Sequence, residues 1–362
     1  MKILAIETWG LNLAYVGCYG NDWVATPNLD RLAAEGIVFD NHIVDQPELR
    51  AGTPWHQRSV GTGRYALPGT SPSATNVSSP RVVWLESMSS FGNDALALLE
   101  CGDPWLWLEG PSLLPPWDRD LEILATYFAE DDAEDEVDPW PDPPMDFVQL
   151  EEIDVLRLQN TYAGVVTEFD AQLGILLDEL RKNETLDAML VCVTARTGLP
   201  LCEHGVIGTP HAALHDELVH VPLIMRLPRA ADAGLRINAL TQPIDLLPTF
   251  LESLSQAVPP MQGKSLWPLM RGDVRSLRSH ALASMRIAGY ETWLMRTLDA
   301  ALHVPIAQPG GIEATSPQLF LKPEDRWEVN DLRQHLLETA DEMEKTLRAS
   351  CPFSSAQTHN EA

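Results

Sequence analysis

The chain has 362 residues and contains 25 Lys and Arg against 52 Asp and Glu, a formal net charge of −27. Because contacts to phosphate need cationic side chains, this charge argues against nucleic acid or an anionic membrane surface as a partner. A hydrophobic fraction of 45% and a charged fraction of 21% are typical of a globular protein with a buried core, which excludes a wholly disordered chain.

The N-terminal segment MKILAIETWG predicts a first β-strand rather than a signal peptide, because its apolar run is short and no small-residue cleavage site follows. No run approaches the roughly 18 apolar residues that a membrane span requires. The five cysteines are scattered and form no CxxC pair, which indicates neither a disulfide framework nor a zinc site. We therefore expect reduced thiols and a cytoplasmic location.

The first predicted elements alternate between strand and helix. The run 2–6 predicts a buried strand, and Thr26 with Pro27 predicts a helix start with Thr26 as N-cap. Gly36 predicts the end of that helix, and the apolar run 37–39 predicts the next strand. This order is typical of α/β layering.

Two polar segments follow. Residues 66–85 are rich in Ser, Thr and Pro and predict a loop. Residues 129–144 combine an acidic run with prolines, and they predict a solvated surface loop because no EF-hand glycine or spacing is present.

The later part of the chain carries the clearest periodic pattern. Apolar residues recur every three or four positions over 158–180, which predicts a long amphipathic helix. Further elements are strands at 188–194 and 220–225 and a helix at 242–254. We expect a large domain over 1–275, a small C-terminal subdomain over 276–345 and a disordered tail over 346–362.

The segment GCYGNDWVATPNLDRLAAEGIVFDN, which begins at Gly17, resembles the N-terminal signature of the sulfatases, within the alkaline phosphatase superfamily. The segments GTGRY, EHGVIG, DELVHVPLIMRLP, PIDLLPTFLESL, GKSLWPLMRG and LFLKPEDRWEVNDL resemble later blocks of that family, in the same order. The resemblance covers about residues 2–335, although 66–150 match poorly.

The resemblance implies an α/β fold with a mixed sheet between helices and a smaller C-terminal subdomain. It also implies hydrolysis of sulfate esters. In the family, acidic residues hold calcium or a similar cation, and a cysteine matured to formylglycine is the nucleophile.

The positions that match the family's metal ligands have lost their carboxylates. Trp9 and Gly10 stand where two aspartates end the first strand, and Arg196 and Thr197 stand where the later ligand pair ends its strand. A guanidinium repels a cation by the same Coulomb term that makes aspartate attract it. Glu7 is either a displaced ligand or, as we favour, a paired or solvated strand-end residue.

The nucleophile position is also altered. It falls on Thr53, nine residues before Thr62, and no cysteine lies between Cys18 and Cys101, so formylglycine cannot form there. Thr53 is either a nucleophile of the kind found in phosphodiesterase relatives or, as we favour, a structural residue. The motif arginine falls on Gln57, with Arg58 beside it.

Four histidines are close in sequence: His204, His211, His215 and His220. The spacing of His211 and His215 is compatible with a metal pair on one helical face, but no HExxH motif is present. We favour supporting or surface roles for the group, with metal binding as the alternative.

The sequence predicts a sulfatase-like protein whose hydrolytic site is degenerate and whose function is to bind an anionic ligand or a protein partner. The candidate ligand-binding residues are Arg196, Thr197, Trp9 and His211, with Thr53 and Arg58 at the nucleophile motif; Arg196 is alternatively structural. No metal cofactor is predicted. The alternative is an active sulfuric or phosphoric ester hydrolase that uses Thr53 with rearranged ligands, Glu7 and His211 or His215, around a metal.

Overall fold

The computed structural model describes residues 1–47, 80–128, 138–209, 213–287, 290–306 and 316–350. Its largest feature is a seven-stranded sheet in the order β3-β4-β1-β5-β6-β2-β7. Strand β6 runs antiparallel to both of its neighbours, and the other pairs are parallel. The strands are β1 (Lys2–Trp9), β2 (Ile37–His42), β3 (Arg81–Trp84), β4 (Trp105–Ser112), β5 (Met189–Ala195), β6 (Leu223–Arg226) and β7 (Leu235–Thr241).

Helices cover both faces of this sheet, which explains why its central strands are continuous apolar runs. Of the helices in the described ranges, four pack on one face: α1 (Pro27–Ala34), α2 (Phe91–Leu99), α3 (Leu121–Leu124) and α4 (Glu152–Lys182). Two pack on the other: α6 (Leu246–Ser253) and α7 (Trp267–Met270). The short helix α5 (Asp216–Val219) lies between β5 and β6 in the chain. The predicted mixed sheet between helices is confirmed.

A second sheet forms the C-terminal part. It is antiparallel in the order β11-β10-β9-β8. Its strands are β8 (Ala281–Ile287), β9 (Tyr290–Arg296), β10 (Ala300–Ile306) and β11 (Gln318–Leu321), and helix α8 (Leu337–Ser350) packs on it. Its other face meets α5 through Leu218 and Ala283, so the two sheets share a buried contact.

Local predictions differ from the structure in several places. Strand β3 lies inside the segment predicted as loop, β6 begins at Leu223 rather than at 220, and α8 continues through Ser350, beyond the predicted start of the disordered tail at 346. Thr26 makes no capping hydrogen bond to its helix, since its hydroxyl accepts a bond from the Gly17 N–H instead.

The N-terminus of α1 is capped from another helix. The Asp170 carboxylate, on α4, accepts hydrogen bonds from the backbone N–H groups of Asn28 and Leu29, the latter at 2.7 Å. A carboxylate at a helix N-terminus satisfies free N–H groups and complements the helix dipole. This contact joins the first helix to the longest one.

Candidate functional site

The candidate site lies where three neighbouring parallel strands end. Because β4, β1 and β5 are parallel and adjacent, their carboxyl ends meet at one edge of the sheet. The register places Glu7 directly beside Glu109 on β4 and beside Thr194 on β5. Arg196 follows β5 immediately. Two carboxylates and one guanidinium therefore converge at this edge.

Arg196 fills the space between the two carboxylates. Its Nη2 donates a hydrogen bond to Glu7 Oε2 at 2.8 Å and to Glu109 Oε1 at 3.3 Å. Its guanidinium carbon lies 5.2 Å from the centre of the Trp9 ring, within the range of a cation–π contact. We call Glu7, Trp9, Glu109 and Arg196 the arginine cradle.

The charged side chains of the arginine cradle are buried, so their pairing affects the stability of the fold. Arg196 is 3% exposed, Glu7 is 4% exposed and Glu109 is 9% exposed. An isolated buried charge is strongly unfavourable, so both carboxylates depend on the one guanidinium that they share. Of the two states that the favoured interpretation of the sequence left open for Glu7, paired or solvated, the structure shows the paired one.

Thr197 serves the backbone around the cradle. Its hydroxyl lies 3.0 Å from the Gly198 carbonyl and 3.3 Å from the Leu218 carbonyl, which can each accept its proton. Its own carbonyl accepts a hydrogen bond from the Gly10 N–H at 2.9 Å. Thr197 is fully buried. These bonds hold the ends of β1 and β5 together.

The described residues do not fit a divalent cation at this edge. Calcium takes six to eight oxygen ligands, whereas the Glu7 and Glu109 oxygens already face a guanidinium. A side chain at Gly10 is also excluded, because its φ is +77° and a Cβ would approach Leu114 Cδ2 to 2.6 Å. No step of a metal-assisted reaction can be derived through these residues.

The structure brings together some predicted residues and leaves others untested. Trp9 and Arg196 are in contact, and Thr197, which follows Arg196, is bonded to Gly10, which follows Trp9. Thr53, Arg58 and His211 lie outside the described residues, so their roles stay predictions. The sequence did not predict Glu109 as a site residue. An acidic residue within the apolar run WLWLEGP was the one available signal for it. That Glu109 lies beside Glu7 depends on the register of the strands, which the sequence does not give.

The histidines near residue 210 pair with glutamates. His204 Nδ1 lies 2.7 Å from Glu217 Oε1, and His215 Nδ1 lies 2.6 Å from Glu328 Oε2. Burial lowers the pKa of His204, but the hydrogen bond and charge of Glu217 outweigh it and raise the pKa to about 9. The His204 and His215 rings stack with their centres 3.8 Å apart. These contacts tie the EHG segment to the C-terminal part of the chain.

A pocket of about 280 Å³ opens beside α5 and the segment that follows β11. We call it the polar pocket. Its charged lining residues are the cations Arg236, Arg296, Lys322 and Arg326 and the acids Asp40, Asp216 and Glu217.

Most charges of the polar pocket are paired within its wall. Lys322 Nζ lies 2.7 Å from Asp216 Oδ2, and Arg236 pairs with Asp40. Arg296 Nε and Asp216 Oδ1 stand 3.8 Å apart, and neither buried atom makes a hydrogen bond to the described part of the chain. The described residues therefore leave the hydrogen-bonding capacity of these two atoms unused.

The sequence and the fold both resemble those of known proteins. The family model described as Sulfatase matches residues 116–256. Two curated relatives are named as sulfatases. N-acetylglucosamine-6-O-sulfatase of Bacteroides thetaiotaomicron is 29% identical over 180 residues, which cover 49% of this chain and 30% of that protein. The ulvan-active sulfatase of Formosa agariphila is 25% identical over 358 residues, which cover 85% of this chain and 66% of that protein. These matches support membership of the sulfatase and alkaline phosphatase superfamily.

The fold of this superfamily member agrees with solved structures. A protein solved in complex with its substrate D-glucosamine-2-N,6-O-disulfate superposes with a TM-score of 0.72 at 17% identity, over 97% of this chain and 99% of that one. This likeness extends to the C-terminal sheet. The chain nevertheless spans only about a third of the first curated relative and about two thirds of the second. Among the described helices, none has the length and apolarity needed to cross a bilayer.

Proposed function

We propose that this superfamily member does not hydrolyse esters and acts as a binding protein. The observation that carries the proposal is the arginine cradle, in which a guanidinium lies between Glu7 and Glu109 at the ends of β1, β4 and β5. In the family resemblance this region holds a divalent cation, which the hydrolysis requires for neutralising the sulfate oxygens. Because the guanidinium is part of the chain and is held by two buried carboxylates, a cation from solvent cannot replace it.

We further propose that the ligand is anionic and binds in the polar pocket rather than at Arg196. Arg196 is 3% exposed and already contacts two carboxylates, so a ligand could reach it only by breaking that network. The polar pocket, in contrast, has four cationic side chains against three acidic ones in a chain whose net charge is −27. Arginine suits sulfate and phosphate oxygens because its guanidinium presents several donors in one plane.

Arg326 and Trp327 are the residues that we expect a ligand to meet first. The Arg326 guanidinium lies 5.1 Å from the centre of the Trp327 ring, and Trp327 is 49% exposed. We propose that the wall adjusts on binding, so that a ligand hydroxyl accepts from Arg296 Nε and donates to Asp216 Oδ1, two buried atoms without hydrogen bonds in the described part of the chain. A sulfated or phosphorylated sugar supplies both kinds of group. A protein partner that presents such a group would bind in the same way.

The hydrolysis test compares the full chain with Thr53→Ala, using aryl sulfate, phosphate monoester and phosphate diester substrates with Ca²⁺, Mg²⁺, Mn²⁺ or Zn²⁺. We expect no turnover above that of Thr53→Ala for any pair of substrate and metal. Turnover that Thr53→Ala abolishes would overturn the proposal and favour the alternative hydrolase. That alternative is favoured by the names of the relatives, which are sulfatases.

The binding test measures glucosamine 6-sulfate and glucosamine by calorimetry. We expect the sulfated sugar alone to bind, and Arg326→Gln to weaken it about tenfold or more, as loss of a charge-assisted hydrogen bond does. Arg275→Gln, which removes an exposed cation outside the pocket, is the matched control. Equal weakening by both variants, or equal affinity for both sugars, would contradict the assignment of the pocket.

Two further assignments stay proposals. We propose a cytoplasmic location, supported by the free thiols of Cys18, Cys101, Cys192 and Cys202. We also propose the domain division at residue 275, which is supported by the separate sheet that starts at Ala281.

A further inference from the structure

We propose that His215, His303 and Glu328 form a transition-metal site that shares no residue with the arginine cradle. Their ligand atoms are His215 Nδ1, His303 Nε2 and a Glu328 carboxylate oxygen, and all lie within 4.8 Å of one another. Two imidazoles and one carboxylate are ligands that Zn²⁺ and related divalent ions prefer. The proposal goes beyond the proposed function, because no residue of the cradle takes part.

The three residues come from separate segments, so the fold rather than a local motif creates the site. His215 precedes α5, His303 lies in β10, and Glu328 follows β11. His215 Nδ1 lies 2.6 Å and His303 Nε2 lies 3.3 Å from the same oxygen, Glu328 Oε2. A metal ion at about 2.0–2.2 Å from each ligand would occupy the space that these atoms face.

The nitrogen of His303 supplies the observation that points to a ligand. His303 is 4% exposed, and its Nε2 makes no hydrogen bond to the described part of the chain although it faces the Glu328 carboxylate. A buried polar atom without a hydrogen bond is costly, and a bound cation would satisfy it. The carboxylate of Glu328 itself is 3% exposed.

The surrounding charges are arranged to orient Glu328. Lys322 Nζ lies 3.0 Å from Glu328 Oε1, the oxygen away from the two imidazoles. Outer contacts of this kind commonly fix a ligating carboxylate and favour binding through its other oxygen. Asp216 lies 2.7 Å from the same ammonium and offsets its charge. His204 stacks on the His215 ring and pairs with Glu217.

The test is a titration of the chelator-treated full chain with Zn²⁺, followed by calorimetry, and with Co²⁺, followed by visible absorption. We expect one equivalent to bind, with Co²⁺ bands typical of nitrogen and oxygen ligands. His303→Gln and His215→Gln should each weaken this equivalent by more than about 100-fold, beyond the loss caused by removing an outer contact. His335→Gln, which removes an exposed imidazole outside the site, should leave it unchanged.

Absence of any bound equivalent in the folded wild-type chain would overturn the proposal, and so would an equivalent that His303→Gln and His215→Gln leave intact. If a variant fails to fold, the presence or absence of one bound equivalent in the wild-type chain decides the test. No substrate is present in the titration, so its failure leaves the proposed binding function untouched. Hydrolysis that depends on Thr53 would instead contradict that function.

Discussion

Replacement of Arg196 by methionine removes the cation that Glu7 and Glu109 share. At an effective dielectric constant of about 20, unit charges about 4 Å apart attract by about 4 kcal/mol, and Arg196 makes two such contacts, at 2.8 and 3.3 Å between the bonded atoms. Desolvation offsets part of that attraction. Loss of one partner from a buried pair typically costs about 3–5 kcal/mol, which is the destabilisation that we expect for Arg196→Met.

The assay is urea unfolding followed by circular dichroism, with the free energy of unfolding taken from the midpoint and the slope. The decisive comparison repeats Arg196→Met in a Glu7→Gln, Glu109→Gln background. There the guanidinium is a buried charge without its carboxylates, so the same replacement should stabilise the protein. A loss below about 1 kcal/mol in the wild-type background, or an equal loss in both backgrounds, would refute the electrostatic reasoning.

Three further predictions concern Arg196, His42 and Asp170. Arg196→Asp should create a cluster of carboxylates with Glu7 and Glu109 that binds calcium. Ca²⁺ at 100 times its Kd should then stabilise this variant by about 2.7 kcal/mol, measured by thermal unfolding. An equal stabilisation of the wild-type chain would contradict this prediction. Burial lowers the pKa of His42 to about 3, below the 6.5 of an unfolded histidine, so stability is lost as pH falls from 6.5 toward 3. Between pH 6.5 and 5 this loss is about 2 kcal/mol, and His42→Gln should remove it from the pH profile of unfolding. Asp170→Ala should lower the free energy of unfolding in urea by about 2–3 kcal/mol, because it removes the cap of α1. Thr26→Ala, which leaves that cap intact, should lower it by less. The reverse order would contradict the assigned cap.

The predicted elements succeeded where the pattern is local. The stripe of apolar residues over 158–180 predicts α4 because helical periodicity depends only on neighbouring positions, and Leu158, Phe169 and Leu180 are all buried. The apolar runs of β1 and β5 predicted buried strands for the same reason. The second sheet was less evident, since its strands are short and β8 begins with alternating buried and half-buried residues.

The candidate site could be predicted only in part. The resemblance to the family predicts that Trp9 and Arg196 stand at former ligand positions, and this prediction needs only residue type and order. It could not identify Glu109, whose approach to Glu7 follows from the parallel register of β1 and β4. Register is set by packing between distant segments.

Order and side-chain type along the chain were enough to indicate the superfamily and the mixed α/β architecture, and they predict an arginine in place of an acidic ligand. Which groups meet was decided by tertiary structure: Arg196 with Glu7, Asp170 with the first helix, and His215 with Glu328. These partners are 189, 141 and 113 positions apart for the bonds that join them. Charge and hydrogen-bonding energies depend on distances of a few ångströms, and only the packed sheets and helices bring such remote residues that close.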